Sequence, residues 1–117
     1  VGPLNAGDKR LIDEANAVAK IVSDNIDNFR LDLAADVIYH FVWHRFADEI
    51  IEESKVILKG ADKAAADSRR SALNAIFTIS LKLLHPFMPF VTEAIWQNLP
   101  QKDADVLMVA RWPSYNM

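Results

Sequence analysis

The sequence predicts an all-α fold, an antiparallel helical bundle of three long helices plus one short helix, with an extended C-terminal tail. Two observations lead there. Among 117 residues there are only three Gly and five Pro, placed near the start, at Gly60, or in the last third, so that long stretches rich in Ala, Leu, Ile, Val, Asp, Glu and Lys run without a breaker. Within those stretches apolar residues recur three and four apart, the period of a helix with one buried face.

The first helix is expected from about Asp8 to Asn28, with Leu11, Ile12, Ala15, Val18, Ala19, Val22, Ile26 and Phe29 on one stripe. Asn5 suits its N-cap and Asp8 suits the positive end of its dipole. A break follows at Asp27-Asn28-Phe29-Arg30. The second helix is expected from about Asp32 to Leu58. Its apolar arc, from Leu31, Ala34, Val37, Ile38, Phe41, Val42 and Phe46 round to Tyr39, Trp43 and Ile50, is wide enough to touch more than one neighbour. Gly60 suits a helix end in the left-handed conformation.

The third helix is expected from about Asp62 to His85, where Pro86 stops it. Pro89 fits the first turn of a short fourth helix carrying Phe90, Val91, Ile95, Trp96 and Leu99. Pro100 closes that helix. The tail from Asp105 to Pro113 holds Val106-Leu107-Met108-Val109 and is expected to lie extended across the helices. A single domain covering 1–117 accounts for the whole chain. Its start at Val1 rather than Met is expected of a piece cut from something longer.

Composition excludes several function classes. The absence of Cys removes disulfides, thiolate metal sites and cysteine nucleophiles. No apolar run approaches the roughly 18 residues that span a bilayer, and no segment reads as a signal peptide. A cytoplasmic, membrane-free protein is the expectation. Thirteen basic against sixteen acidic residues give a net charge of −3, the wrong sign for a freestanding nucleic-acid binder.

Candidate chemistry is sparse. His40 and His44 are four apart and could chelate zinc, but Phe41 stands where a zinc protease needs Glu, and the pair reads as a solvated polar strip. No metal site is expected. Asp48, Glu49, Glu52 and Glu53 sit on successive turns of one helix end, whereas paired-carboxylate catalysis needs two groups facing across a cleft. Arg45 falls inside the apolar arc and reads as a snorkelling side chain paired with Glu49. Ser23, Ser54, Ser68, Ser71, Ser80 and Ser114 have no nucleophile-elbow context, and there is no glycine-rich phosphate loop. No catalytic residue and no cofactor are expected in this chain.

The remaining signals concern binding. Residues 1–60 hold seven basic and eleven acidic residues, a balance of −4, and residues 61–117 six and five, a balance of +1. Lys63, Arg69 and Arg70 decorate the polar first half of the third helix, and Lys82 lies further along it. Phe29, Tyr39, Trp43, Trp96 and Trp112 could stack on unpaired bases if they reach a surface, and otherwise read as core. Phe29-Arg30 stands out, an aromatic beside a guanidinium at a helix junction.

Two blocks carry a resemblance. The first is Phe29-Arg30-Leu31-Asp32-Leu33-Ala34-Ala35, then Tyr39-x-Phe41-x-Trp43-x-x-Phe46-x-Asp48 and Glu52-x-Ser54-Lys55. The second is Leu84-His85-Pro86-Phe87-Met88-Pro89-Phe90-Val91-Thr92-Glu93-x-x-Trp96-Gln97-x-Leu99-Pro100, with Trp112-Pro113 closing the pattern. In this order the chain resembles the anticodon-binding helical domain of class I aminoacyl-tRNA synthetases over roughly residues 10–113. The first block is most similar to the valyl branch, with the isoleucyl branch the nearest rival. It departs from the commoner valyl pattern at Ala47, where Cys is frequent, and at Glu49-Ile50-Ile51, where Trp-Tyr follows the Asp.

The residues themselves explain these blocks as structure. Tyr39, Trp43, Phe46 and Ile50 are expected to form one bulky ridge against neighbouring helices. His85-Pro86-Phe87-Met88-Pro89-Phe90 is expected to be a corner pinned to the core by Phe87 and Phe90. The resemblance implies a recognition role within a longer ligase that uses ATP and Mg. The implied partners are the anticodon stem-loop of a tRNA and the catalytic domain of the same polypeptide. RNA contacts are expected at Arg30 first, then Phe29, Arg45, Lys9 and Arg10. The rival from another class is a standalone helical module that binds a protein through its apolar groove.

Overall fold

Asn5 opens the first helix as expected: its side chain accepts a hydrogen bond from the Asp8 amide at 2.8 Å, satisfying a donor that the helix start leaves free. The computed structural model describes residues 4–99, 107, 112 and 113. In chain order they form α1 (Ala6–Asp27), α2 (Leu31–His40), a π-helical segment (Phe41–Ile50), α3 (Ile51–Lys59), α4 (Lys63–Leu84) and α5 (Pro89–Gln97). The all-α bundle is the predicted one, and no strand occurs among the described residues. α2, the π segment and α3 run continuously, antiparallel to α1, and α4 returns alongside α1. α1 and α4 therefore begin at the same end of the bundle, where the Asn5 amide donates to Ser68 Oγ at 2.9 Å.

The expected breakers act, with one change of detail. Pro89 occupies the first turn of α5, where its missing N–H costs nothing. Gly60 adopts φ −72° and ψ 167°, an extended link rather than the left-handed cap expected of it. The chain needs only to reach Asp62, whose side chain caps α4 by accepting from the Ala65 amide at 3.1 Å.

The largest departure lies in the second long helix. Residues 41–50 wind as a π-helix, which closes through i→i+5 hydrogen bonds and places residues five apart on one face. Phe41 and Phe46, five apart, are both buried, and so is Ile50, four residues further on. The expected single ridge is split: Phe46 and Ile50 face the core, while Tyr39 and Trp43 stand half-exposed outside it. A ridge read at 3.6 residues per turn could not foresee that, because apolar spacing does not announce a change of helical pitch.

The main core joins Ala15, Ala19 and Val22 of α1, Ala34 and Ile38 of α2, the three π-segment residues, and Ile76, Leu83 and Leu84 of α4. Small alanines on α1 and α2 let those helices approach closely. A second cluster holds Trp96 of α5, fully buried against Leu81 and Leu107. Most of the tail expected to lie extended, including Val106, Met108 and Val109, is outside the described residues. Leu107 is buried, its amide bonded to Glu93 at 2.8 Å, and Trp112 Nε1 donates to Ser23 Oγ at 2.8 Å.

One polar group lies inside this apolar frame. Arg69, in the polar first half of its helix, is only 6% exposed. Its Nε donates to Asp8 Oδ1 at 2.8 Å and its Nη1 to Ser54 Oγ at 2.9 Å. Ser68 Oγ donates to the other Asp8 oxygen, and Ser54 Oγ donates to the Ile50 carbonyl at 2.6 Å. α1, α3 and α4 are thus tied at one level. Removing one partner of a buried pair strands a charge without solvent, at a cost of about 3–5 kcal/mol, whereas replacing both sides by apolar groups is often near neutral. Asp8→Ala should therefore lower the urea unfolding free energy by about 3–5 kcal/mol, and the double change Asp8→Ala/Arg69→Met by clearly less. Equal losses in the two variants would show that the ion pair is not what the bundle relies on.

Candidate nucleic-acid interface

The expected RNA-contact residues fall at three separate levels of the bundle. Phe29 and Arg30 form the corner between α1 and α2. α1 ends there in a paired-bond motif: the Phe29 amide donates to the Ile26 carbonyl at 3.0 Å and the Arg30 amide to the Asn25 carbonyl at 2.7 Å. That motif needs a left-handed residue at its turn, a place usually filled by Gly. Here it is Phe29, at φ 61°. A side chain in this conformation costs about 1–2 kcal/mol, and Phe29 recovers nothing by packing, since it is 92% exposed.

Arg30 is exposed as well, its Nε 3.4 Å and its Nη2 3.5 Å from the two Asp32 oxygens. The guanidinium holds the Asp32 carboxyl below its ordinary range, helped by a hydrogen bond from the Leu33 amide. Exposed ion pairs of this kind are weak and screened by salt, so Arg30 can exchange Asp32 for another anion. Its surroundings are acidic: Asp24, Asp27, Asp32 and Asp36 are all exposed at this end.

Arg45 is committed elsewhere. Its guanidinium grips Glu14 of α1 with two hydrogen bonds, at 2.7 and 2.9 Å, with Glu49 more distant at 3.8 Å. The expected partner was Glu49, four residues on. The bidentate partner instead comes from 31 residues away and pins the π segment to α1. The Glu14 hydrogen bonds raise the Arg45 pKa above its ordinary value.

Lys9 and Arg10 stand on the first turns of α1, both exposed. At 1.5 Å per residue they are about 30 Å along the helix from Phe29 and Arg30, so one small ligand could not touch both pairs. Among the described residues no carboxylate forms an ion pair with Lys9, Arg10, Lys59 or Lys63, whereas Lys20, Lys55 and Arg70 are each paired within their own helix. The buried network sets α1, α3 and α4 level at Asp8, Ser54 and Arg69. Counting residues from that level places each of the four cations within about 10 Å of it along the bundle axis, and Asp13, Glu52, Glu53, Asp62 and Asp67 as well. The α3–α4 turn contributes Lys59 and Lys63, a signal that charge counting along the chain did not resolve.

The other candidates stay separate from these cations. Tyr39 and Trp43 stack with ring centroids 4.8 Å apart and planes 19° apart. With Asp32, Asp36, Leu84, Phe87 and Met88 they line a groove of about 390 Å³ between α2 and the α4–α5 corner. Of the five aromatics weighed as stacking or core residues, only Trp96 is buried; the other four reach the surface. His40 and His44 are exposed, 3.6 Å from Asp36 and 3.7 Å from Asp48 respectively. No group of three or more metal-ligating side chains comes together among the described residues. No helix among them is long and apolar enough to cross a membrane.

Comparison with known proteins agrees with the sequence blocks. A family model described as the anticodon-binding domain of tRNA ligase matches residues 8–117. The chain is 39% identical over 113 residues to a valine–tRNA ligase of Bacillus thuringiensis subsp. konkukian, covering 97% of this chain and 13% of the relative. It is 36% identical over 115 residues to that of Staphylococcus saprophyticus, covering 98% of this chain and 13% of the relative. To that of Wigglesworthia glossinidia brevipalpis it is 46% identical over 92 residues, covering 79% of this chain and 10% of the relative. The chain thus spans about an eighth of the length of these relatives.

The strained, exposed Phe29 yields a stability test. Asn tolerates the left-handed region better than Phe, and nothing at this position rewards a large side chain. Phe29→Asn should raise the unfolding free energy by about 0.5–1 kcal/mol, read as a higher urea midpoint with an unchanged slope. A lowered midpoint would mean that Phe29 packs within the bundle.

Proposed function

The chain belongs to the family of anticodon-binding domains of tRNA ligases, and we propose that it holds the anticodon stem-loop of a tRNA within a longer valine–tRNA ligase. In that enzyme a separate catalytic domain would join valine to ATP, with Mg, and then to the tRNA 3′ end. This chain would supply recognition only. The observation that carries the geometry of the proposal is the gathering of Lys9, Arg10, Lys59 and Lys63 toward one end of the bundle, with no ion pair to a carboxylate among the described residues. Exposed cations outside such ion pairs can exchange counterions for RNA phosphates, which fix the orientation of a bound nucleic acid.

This places Lys9 and Arg10 ahead of Arg30, which was the first expectation from the sequence. Arg30 would have to leave Asp32 and meet RNA among three further carboxylates, which repel the phosphate chain. A contact at Phe29 and Arg30 would be one of stacking and base-edge hydrogen bonds. Arg45 can contribute only by opening its bidentate grip on Glu14. Its role under this proposal is to hold the scaffold. The net charge of −3 is no obstacle, because a domain within a large ligase need not supply most of the electrostatic attraction for RNA itself.

Lys9→Glu/Arg10→Glu in the full-length ligase should weaken tRNA binding at low salt at least tenfold and reduce the slope of log affinity against log salt by about 2, one per lost phosphate contact. Valine-dependent ATP–pyrophosphate exchange, which needs no tRNA, should be unchanged. Arg30→Ala should have the smaller effect on tRNA affinity. The reverse ranking would move the RNA footprint to the α1–α2 corner, and a loss of exchange activity in the double variant would point to damage beyond RNA binding.

A further inference from the structure

The end of the bundle opposite the four cations has a different character. The α1–α2 corner and the α4–α5 corner meet there, bridged by two grooves. One, of about 270 Å³, runs between Asp27, Leu31, Pro86 and Trp112; the other is the 390 Å³ groove lined by Asp32, Asp36 and Met88. On this cap Phe29 and Phe90 are about nine-tenths exposed, and Leu31, Val91 and Met88 are exposed beside them. α5 buries Trp96 inward and turns Phe90, Val91 and Ile95 outward. Exposed apolar surface of this density, together with a strained Phe29 that packs on nothing, marks an interaction site.

The charge around the cap selects the class of partner. Asp24, Asp27, Asp32 and Asp36 rim it, against Lys20 and Arg30, which are already bound to Asp24 and Asp32. RNA would bring more negative charge to an acidic rim. A protein surface with apolar side chains flanked by Lys or Arg would bury the cap and satisfy the rim at once. The chain covers 13% of its relatives, so most of such a ligase lies outside it and can supply that surface.

We infer that this cap, centred on Phe29, Leu31, Met88 and Phe90, is the seat of another domain of the same polypeptide, which meets it with apolar and basic side chains. The inference rests on the reading that the chain is one domain of a longer ligase, and it does not depend on where RNA binds. It makes the bundle bipolar: one end is held by protein, and the other, about 30 Å away, is free for a ligand.

The test uses thiol alkylation of the full-length ligase, read site by site by peptide mass spectrometry, with Phe90→Cys at the cap and Lys63→Cys at the basic end. In the absence of tRNA the F90C thiol should react at least tenfold slower in the native enzyme than in the urea-unfolded one, while the K63C thiol reacts within about twofold of its unfolded rate. Adding Asp32→Lys/Asp36→Lys should speed the F90C reaction by loosening the basic partner. Fast alkylation of F90C in the native enzyme would overturn the inference. Protection of F90C only after tRNA is added would overturn it too, giving the cap to RNA. Protection that disappears on dilution would assign the cap to a second copy of the enzyme, and so also overturn it. tRNA protection of K63C reports on the RNA reading by itself, so the two can fail separately.

Discussion

The contact on which the rest depends is the buried ion pair between Asp8 and Arg69. It joins the first turn of α1 to α4 and, through Ser54, to α3. Taking both charges out of water is costly, and geometry repays the cost only when the remaining donors and acceptors are satisfied. Here they are: Asp8 also accepts from Ser68, Arg69 also reaches Ser54 and lies 3.6 Å from Glu53, and the described residues include no buried side-chain polar atom without a partner. Because every member has a fixed partner, α4 cannot slide along α1 without stranding a charge. That register brings Lys9 and Arg10 to the same end as Lys59 and Lys63, and gathers the two apolar corners at the other.

The π-helical segment sets the second constraint. Its wider turn buries Phe41, Phe46 and Ile50 together and leaves Tyr39 and Trp43 stacked on the outside. In the same segment Arg45 grips Glu14, so a candidate RNA contact also ties the π segment to α1. Corner residues divide in a similar way. Phe87 packs against the core while Phe90, expected to share that duty, points outward.

Together these constraints give the bundle two unlike ends. Family membership and likeness to valine–tRNA ligases bear on what the molecule is for. The separation of free cations from the acidic, aromatic cap bears on how it would be mounted. A recognition domain in a large enzyme must be anchored at one place and open at another. An elongated bundle with extents of 47 × 26 × 26 Å has room for the two roles at opposite ends of one axis.

What the sequence determined by itself was whatever depends on neighbours within a few turns. The Asn5 cap, the breaks near Asn28, Gly60 and Pro86, the Pro89 start and the all-α class all rest on local rules of capping, breaking and periodicity, and the two motif blocks were sufficient to identify the family. Tertiary structure alone decided which charges are free. Arg69 finds Asp8 across 61 residues and Arg45 finds Glu14 across 31, pairings that no short-range pattern encodes. It also decided the change of pitch in residues 41–50, because the apolar spacing there does not by itself select i→i+5 over i→i+4 hydrogen bonds. The candidate site was therefore legible as a set of residue types, and its division between two ends was not, since that division follows from the register of helices distant in sequence.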